Sequence, residues 1–245
     1  MERNIAEIKD WARGLMNRLM TNETFAKNMA DPDACTRYQV KCDVMNMFSD
    51  ITVEYGATRI VIIQDDVPYV LKIQDDDSGF DYGKNEVTVY QKAAEQGLEK
   101  YFAWVMKAFT LILPFERRAD DSDEMIHSEA KRDIYVMERC DMDEDVMMQN
   151  SIDHAYHAWL AEEKLEDCQE SREKWEDECD EDYLSNQEAM LEYAEDEWGD
   201  AAWDVSEFLD SMYVNDCHSG NFGWRNGELV ICDYAGYCTN VRGVE

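Results

Sequence analysis

The order of apolar and polar positions divides the chain into three stretches, and the first is helical. Near the start, apolar residues recur on one side of a helix at Ile5, Ile8, Leu15 and Leu19. The helix-breaking residues 31–33 interrupt this pattern. We therefore expect an N-terminal helical extension over residues 1–47.

The second stretch, residues 48–138, consists of short runs typical of strands. Three runs come first, separated by turn signals: Ile51–Glu54, Thr58–Ile63 and Tyr69–Ile73. A helical pattern follows at about Gly83–Gln96. Two further strand candidates are Leu111–Leu113 and Ile134–Met137, with the polar residues 116–133 between them. The predicted order is strand, strand, strand, helix, strand, strand, and the first three strands form an antiparallel meander.

The third stretch, residues 139–245, is predicted to be helical and acidic. Residues 151–200 contain 19 acidic and 3 basic residues, so this fifth of the chain carries a net charge of −16. Large apolar residues are interleaved with the acids, among them Trp159, Trp175 and Trp198. This mixture predicts helices rather than a disordered acidic tail. One more helix is expected at about Asp200–Met212.

The composition of the 245-residue chain excludes several classes of function. There are 56 Asp and Glu residues against 23 Lys and Arg, a formal net charge of −33. Such a charge excludes ordinary binding to the phosphates of nucleic acid and docking on an anionic membrane. Hydrophobic residues make up 45% of the chain, which excludes a wholly disordered protein.

No segment has the composition of a signal peptide or a membrane span. Charges occur throughout the first twenty residues, and the most apolar stretch, Tyr101–Phe115, is too short to cross a bilayer. The eight cysteines form no C-x-x-C pair and are expected to be reduced thiols. His154 and His157 are interpreted as polar positions on a helix, because a metal site needs more ligands than they provide. We expect a cytoplasmic protein.

The candidate chemistry is concentrated between residues 213 and 236. The pattern predicts a helix end, a polar loop, and a tight strand pair that turns at Arg225–Gly227. Asp216 and Asn221 lie on the loop, and Asp233 follows the second strand. Such a hairpin can bring one carboxylate and one amide oxygen together and leave a second carboxylate free. Oxygen ligands of this kind suit Mg²⁺, and a free carboxylate can accept a proton from a hydroxyl.

The spacing of these residues resembles that of a known enzyme superfamily. Asp216-x-His218-x-x-Asn221, with Asp233 twelve residues further on, is similar to the catalytic and metal-binding loops of the protein-kinase-like superfamily. This form looks most like the phosphotransferase branch, which includes aminoglycoside and choline kinases and atypical protein kinases. It also resembles the early serine/threonine kinases of short-tailed bacteriophages, in which a similar Asp-x-His-Ser-Gly-Asn loop precedes an Asn-Gly hairpin.

Upstream segments resemble the same superfamily and occur in the same order. Residues 69–73, which include Lys72, resemble the third-strand Val-Ala-Ile-Lys signature. Glu86 follows fourteen residues later in the predicted helix, where it is placed to pair with that lysine. Residues 134–138, which end at Glu138, resemble the fifth strand as it enters the hinge. The resemblance covers roughly residues 48–236.

The resemblance implies a fold and a set of roles. The fold class is α+β, a bilobal protein-kinase-like fold with a small antiparallel-sheet N-lobe over residues 48–138 and a truncated, mostly helical C-lobe over residues 139–245. Lys72 would contact the phosphates of ATP and be held by Glu86, while Asp216 would be the catalytic base. Asn221 and Asp233 would hold Mg²⁺, and Gly56 and Glu138 would belong to the nucleotide site. His218 and Gly220 would shape the loop.

Three departures from the superfamily pattern bear on activity. Gly56 is the only glycine between the first two predicted strands, although glycine allows backbone amides to approach phosphate closely. The metal-loop motif reads Asp233-Tyr234-Ala235-Gly236 instead of Asp-Phe-Gly. Twelve residues follow Asp233, so we expect no later segment of the kind that forms a peptide platform or an antibiotic pocket, and small-molecule kinases are disfavoured.

The leading expectation is a bacteriophage-type serine/threonine protein kinase that transfers the γ-phosphate of ATP, with Mg²⁺, to host proteins in the bacterial cytoplasm. The alternative is a pseudokinase whose acidic surface mimics nucleic acid and inhibits a host nucleic-acid-binding or defence protein. Either way, the expected partner is a basic host protein. Halophilic adaptation is a third explanation of the charge, which eight cysteines and many large apolar residues disfavour.

Overall fold

The computed structural model describes residues 3–31, 34–56, 58–74, 81–118, 125–178, 187–214 and 217–235. Within them the fold is α+β, as predicted, with eight α-helices, a five-stranded antiparallel sheet and a two-stranded sheet. In chain order the elements are α1 (Ile5–Leu19), α2 (Glu23–Ala30), α3 (Arg37–Met47), β1 (Ile51–Tyr55), β2 (Arg59–Gln64), β3 (Tyr69–Gln74), α4 (Tyr82–Glu95), β4 (Val105–Arg118), β5 (Met125–Glu138), α5 (Glu144–Glu163), α6 (Gln169–Glu178), α7 (Gln187–Trp198), α8 (Ala201–Met212), β6 (Phe222–Arg225) and β7 (Glu228–Ile231).

The chain forms two compact units. The sheet unit comprises residues 1–87 and 104–139 and contains the five-stranded sheet with α1–α3 and the start of α4. The helical unit comprises residues 88–103 and 140–245 and contains the rest of α4, α5–α8 and the two-stranded sheet. The division at residues 47 and 138 that the sequence suggests stays a prediction.

The strand order in the sheet unit is β1-β2-β3-β5-β4, and every neighbouring pair is antiparallel. The predicted order of strands and helix is confirmed. The prediction that residues 116–133 connect the last two strands was wrong for most of that stretch. Residues 116–118 belong to β4 and residues 125–133 belong to β5, and the two strands pair from Val105 opposite Met137 to Arg118 opposite Met125. Polar residues extend these strands because cross-strand backbone hydrogen bonds do not require an apolar side chain.

The two faces of the sheet have different neighbours. Side chains alternate along each strand, so one face carries fully buried Ile60, Ile62, Leu71, Ile73, Ile134 and Val136. The N-terminal helices cover this face: Trp11 Nε1 donates to Gln64 Oε1 at 2.9 Å, and Arg132 Nε donates to the Met29 carbonyl at 3.0 Å. The opposite face carries Lys72 and Tyr135, and the start of α4 lies against it.

The helical unit is built around aromatic residues. Tyr156 on α5 and Trp175 on α6 are buried against each other, with ring centroids 5.4 Å apart. Helices α5–α7 confirm the predicted helical character of the acidic stretch, of which residues 179–186 lie outside the described residues. Helix α8 confirms the helix expected at about Asp200–Met212. No described helix has the length and apolar composition needed to cross a membrane.

The predicted hairpin near the end of the chain is also confirmed. Strands β6 and β7 are antiparallel, with Arg225 opposite Glu228. The two residues of the turn have positive φ, 54° at Asn226 and 84° at Gly227. This is the Asn-Gly pairing that a two-residue hairpin turn of type I′ favours.

Candidate functional site

The predicted ion pair between Lys72 and Glu86 is present in the sheet unit. Lys72 lies in the middle of β3, and Glu86 lies in the second turn of α4. Lys72 Nζ donates to Glu86 Oε1 at 2.7 Å, and the two residues are 6% and 0% exposed. Burial of a charge is costly unless it is paired, so this contact fixes the helix to the middle strand.

A third charged residue, Arg59, joins this pair. Arg59 Nη1 lies 2.7 Å from the same Glu86 Oε1, and the arginine is 7% exposed. Arg59 is the first residue of β2, two positions before Val61, which pairs with Lys72, so alternation places both cations on one face of the sheet. The other oxygen, Glu86 Oε2, is buried and has no hydrogen-bond partner among the described residues.

Arg59 was missed at the level of sequence because it lies inside the β-branched run 58–63. The signal that could have identified it is an arginine at the start of an otherwise apolar strand. Its position places it on the same face of the sheet as the lysine of the next strand. Recognising that signal requires the cross-strand register, which the sequence pattern does not contain.

Tyr135 on β5 holds the start of α4 in place. Its hydroxyl donates to Asp81 at 2.8 Å from each carboxylate oxygen, and Asp81 Oδ1 accepts the N–H of Lys84 at 2.9 Å. Burial and the hydrogen bond to Asp81 raise the pKa of Tyr135, so its hydroxyl stays protonated. A Cβ atom at Gly83 would lie 2.2–2.7 Å from the Tyr135 ring, so only glycine fits there. These contacts fix the helix one turn before Glu86.

Gly56 and Glu138, the other predicted nucleotide-site residues of the sheet unit, take part in local contacts. The Gly56 N–H donates to the Arg59 carbonyl at 2.9 Å, and the Gly56 carbonyl accepts from Arg37 Nη1 at 2.9 Å, which closes the β1–β2 turn. The Glu138 carboxylate accepts two hydrogen bonds from Arg3 Nη2, at 3.1 and 3.2 Å, and one from the Trp104 N–H at 3.3 Å.

The helical unit places Asn221 beside Asp233. The Asn221 carbonyl accepts the N–H groups of Cys232 at 2.7 Å and Asp233 at 3.2 Å, so the two ends of the β6–β7 hairpin meet. Asn221 is buried, and Asp233 is partly exposed. His218 Nδ1 accepts the Gly220 N–H at 3.1 Å, a hydrogen bond within the loop that leads to β6.

The residue after Asp233 is firmly anchored in the same unit. The Tyr234 hydroxyl donates to the Ala103 carbonyl at 2.5 Å, and the Tyr234 ring meets Phe102 edge-on with centroids 5.2 Å apart. Tyr234 is 1% exposed. Asp233 is therefore held between an anchored tyrosine and a backbone hydrogen bond to Asn221.

The donor atoms of Asn221 and Asp233 fit magnesium. Their side chains offer one amide oxygen and two carboxylate oxygens, the hard ligands that Mg²⁺ prefers, and this ion uses few protein ligands. In the described part of the chain, no three His, Cys, Asp or Glu side chains form a group that could hold a metal. Asp216, the predicted base, lies outside the described residues.

No protein-family model matches this chain, and a search of curated proteins finds no match either.

Proposed function

We propose that this protein is a bacteriophage-type serine/threonine protein kinase with a bilobal kinase-like fold, acting on host proteins in the bacterial cytoplasm. The observation that supports this function best is the buried Lys72–Glu86 ion pair, which joins the middle strand to the following helix at 2.7 Å. In protein kinases a lysine on the third strand and a glutamate on the next helix form such a pair.

The proposed roles divide between the two units. Lys72 contacts the α- and β-phosphates of ATP, and Glu86 orients the lysine. Asn221 and Asp233 hold Mg²⁺, which neutralises phosphate charge when bound. Asp216 accepts the proton of the serine or threonine hydroxyl as the hydroxyl oxygen bonds to the γ-phosphorus and ADP leaves.

The net charge makes the divalent ion essential for nucleotide binding. A chain with a formal charge of −33 repels free ATP, and Asp233, one of the two proposed metal ligands, contributes to that negative charge. ATP should therefore raise the melting temperature only in the presence of Mg²⁺ or Mn²⁺, by binding to the native state. Asp233→Asn should abolish that shift.

The deciding experiment is phosphotransfer from radiolabelled ATP to proteins of a bacterial lysate. Asp216→Asn and Lys72→Met should each lower the initial rate about 10²–10⁴-fold, because they remove the base and the phosphate contact. Lys131→Met, which removes an exposed lysine from the same sheet, is the matched control and should leave the rate unchanged. Label should appear on serine and threonine. Equal rates for wild type and Asp216→Asn would refute the proposal.

A second function, a pseudokinase that binds a basic host protein by mimicking nucleic acid, is favoured by the acidic helices α5–α7. Many of their carboxylates are exposed. Residues 151–200 contain 19 acidic residues against three cations, of which Arg172 and Lys174 form ion pairs with neighbouring acids. The excess of acids gives this surface a negative potential, which attracts basic partners.

The two functions are separated by matched charge variants in a pull-down from bacterial lysate. One variant replaces four exposed acids of the helical unit by glutamine: Glu162, Glu166, Glu170 and Glu173. The control makes the same change of charge on the sheet unit, by amide replacement of Glu7, Asp10, Asp65 and Asp66. The pseudokinase predicts that wild type captures a basic nucleic-acid-binding protein, that salt weakens this capture, and that only the first variant loses it. It also predicts that wild type transfers no phosphate.

A further inference from the structure

Two sulfur-bearing side chains of one short segment lie on the same face of the β6–β7 hairpin in the helical unit. Residues 140–142 run antiparallel to β6, with Asp141 opposite Trp224 and two backbone hydrogen bonds of 2.9 Å between these residues. Side chains alternate along an extended segment, so Cys140 and Met142 lie on one side of it and Asp141 on the other. The backbone pairing therefore brings both sulfur-bearing side chains to one face of the hairpin.

Gly223 on β6 is the position where these two side chains meet a third, that of Cys232. A Cβ atom at Gly223 would lie 2.7 Å from Cys140 Cβ, 3.0 Å from Met142 Sδ and 3.2 Å from Cys232 Sγ. The Sγ atom of Cys232 and the Sδ atom of Met142 are 3.2 Å apart. Glycine at this position therefore lets sulfur-bearing side chains from two distant segments of the chain converge.

Two thiols and one thioether form a set of soft ligands. In proteins such sulfur ligands select Cu⁺, whereas Mg²⁺ and Ca²⁺ prefer oxygen. Two sulfur atoms that bind one metal ion at about 2.3 Å each can be up to about 4.6 Å apart. The 3.2 Å separation of Cys232 Sγ and Met142 Sδ lies within that span, so both atoms can contact one ion.

The backbone fixes these ligands, and solvent reaches them. The Cys232 N–H donates to the Asn221 carbonyl at 2.7 Å, which fixes this cysteine at the end of β7. Cys140 and Cys232 are thiols rather than halves of a disulfide. Met142 is 45% exposed, so an ion can reach its sulfur without local unfolding. The formal net charge of −33 also attracts cations to the surface of the protein.

We propose that Cys140, Met142 and Cys232 form a binding site for a soft monovalent metal ion, Cu⁺. The two cysteines bind the ion as thiolates, and the thioether of Met142 is the third ligand. Structural zinc sites, by contrast, use four protein ligands, so Zn²⁺ is not the ion expected here. The site lies within the helical unit and does not depend on the proposed kinase function.

The test is an anaerobic titration of Cu⁺ into the purified, reduced chain in competition with a chromophoric Cu⁺ chelator. Wild type should withdraw one ion from the chelator. Cys140→Ser and Cys232→Ser should each weaken the binding of that ion at least about tenfold, because loss of a group that only supports a metal ligand already costs that much. Met142→Leu, which keeps an apolar side chain but removes the sulfur, should weaken it at least about threefold, since a thioether is an uncharged ligand.

Two substitutions in the same unit are the matched controls. Cys168→Ser removes an exposed thiol and Met148→Leu removes an exposed thioether, and both should leave the affinity for Cu⁺ unchanged. X-ray absorption of the one-ion complex should show three sulfur neighbours at about 2.3 Å.

Three results would overturn the inference. They are failure of wild type to compete with the chelator, equal affinity in wild type and Met142→Leu, and an equal loss of affinity in the control variants. Circular dichroism checks folding. If a cysteine variant is unfolded, Met142→Leu decides the question, because the exposed methionine can be replaced without disturbing the core.

Discussion

The two units use charge in opposite ways. In the sheet unit, three charged side chains that are almost fully buried, Arg59, Lys72 and Glu86, meet at one oxygen. In the helical unit, residues 151–200 have a net charge of −16, and most carboxylates of this stretch whose side chains the structure describes are exposed. A buried charge is retained only where it is paired, and it therefore marks a site. An exposed charge can be replaced at little cost in stability, so the number of exposed carboxylates describes the protein surface and does not by itself identify a site.

The largest expected effect comes from removal of the buried carboxylate. Glu86→Gln leaves two buried cations without their shared anion, and we expect the free energy of unfolding to fall by about 3–5 kcal/mol. Urea denaturation followed by circular dichroism measures this loss. A loss below about 0.5 kcal/mol, the usual range for a surface substitution, would contradict the burial of this pair.

The control for this prediction replaces the whole cluster. The triple variant Arg59→Met, Lys72→Met and Glu86→Leu puts apolar side chains of similar size at all three positions. Replacement of buried ion-paired residues together is often neutral or stabilising, so this variant should recover most of the stability that Glu86→Gln loses. It should have no phosphotransfer activity, which would separate the role of the cluster in function from its role in folding.

The second prediction concerns the contact between α4 and β5. Gly83→Ala should lower the free energy of unfolding by about 1–3 kcal/mol, because the new Cβ would overlap the buried ring of Tyr135. Gly14→Ala in α1 is the matched control. A Cβ at Gly14 meets nothing within 4 Å, so alanine should stabilise that helix by about 0.5–1 kcal/mol. Thermal melts of both variants should shift in opposite directions, and a shared direction would contradict the close approach at Gly83.

The sequence predicts the elements of the sheet unit better than their contacts. The pairing of Lys72 with Glu86 was predicted from the resemblance to the protein-kinase-like superfamily, whose signature lies in a strand and a following helix that the local sequence pattern identifies. The approach of Gly83 to Tyr135 joins positions far apart in the chain and depends on how closely a helix lies on a sheet. Likewise, Arg59 reaches Glu86 only because the strands pair in one register out of several. In the hairpin, by contrast, Asn226 and Gly227 determine the turn locally through their positive φ angles.

The third prediction concerns the exposed acids of the helical unit. Replacement of Glu162, Glu166, Glu170 and Glu173 by glutamine should raise the free energy of unfolding by about 1 kcal/mol in sum at low salt, because like-charge repulsion decreases. The gain should shrink in 0.5 M NaCl, where exposed charges are screened within a few ångströms. Urea denaturation at the two salt concentrations measures both effects. A loss of stability at low salt would show that these carboxylates make specific contacts.

The smallest expected effect belongs to an ion pair of the sheet unit that is only half-buried. Arg18 Nη1 donates to Asp50 Oδ2 at 2.6 Å, and this bond lowers the pKa of Asp50 to about 2. Both side chains are more than a third exposed, so Arg18→Gln should cost less than about 1 kcal/mol at pH 7. Because the folded pKa is depressed, the pair stabilises the protein above the ordinary aspartate pKa, and its contribution disappears as the pH falls from about 4 to 2. The stability difference between wild type and variant should therefore narrow over that interval in urea denaturation. The control is Arg13→Gln, which breaks a more exposed ion pair with Asp10 and should change the free energy of unfolding less. If the stability difference between wild type and Arg18→Gln does not change with pH, the effect of the substitution comes from lost packing of Arg18 on Phe48.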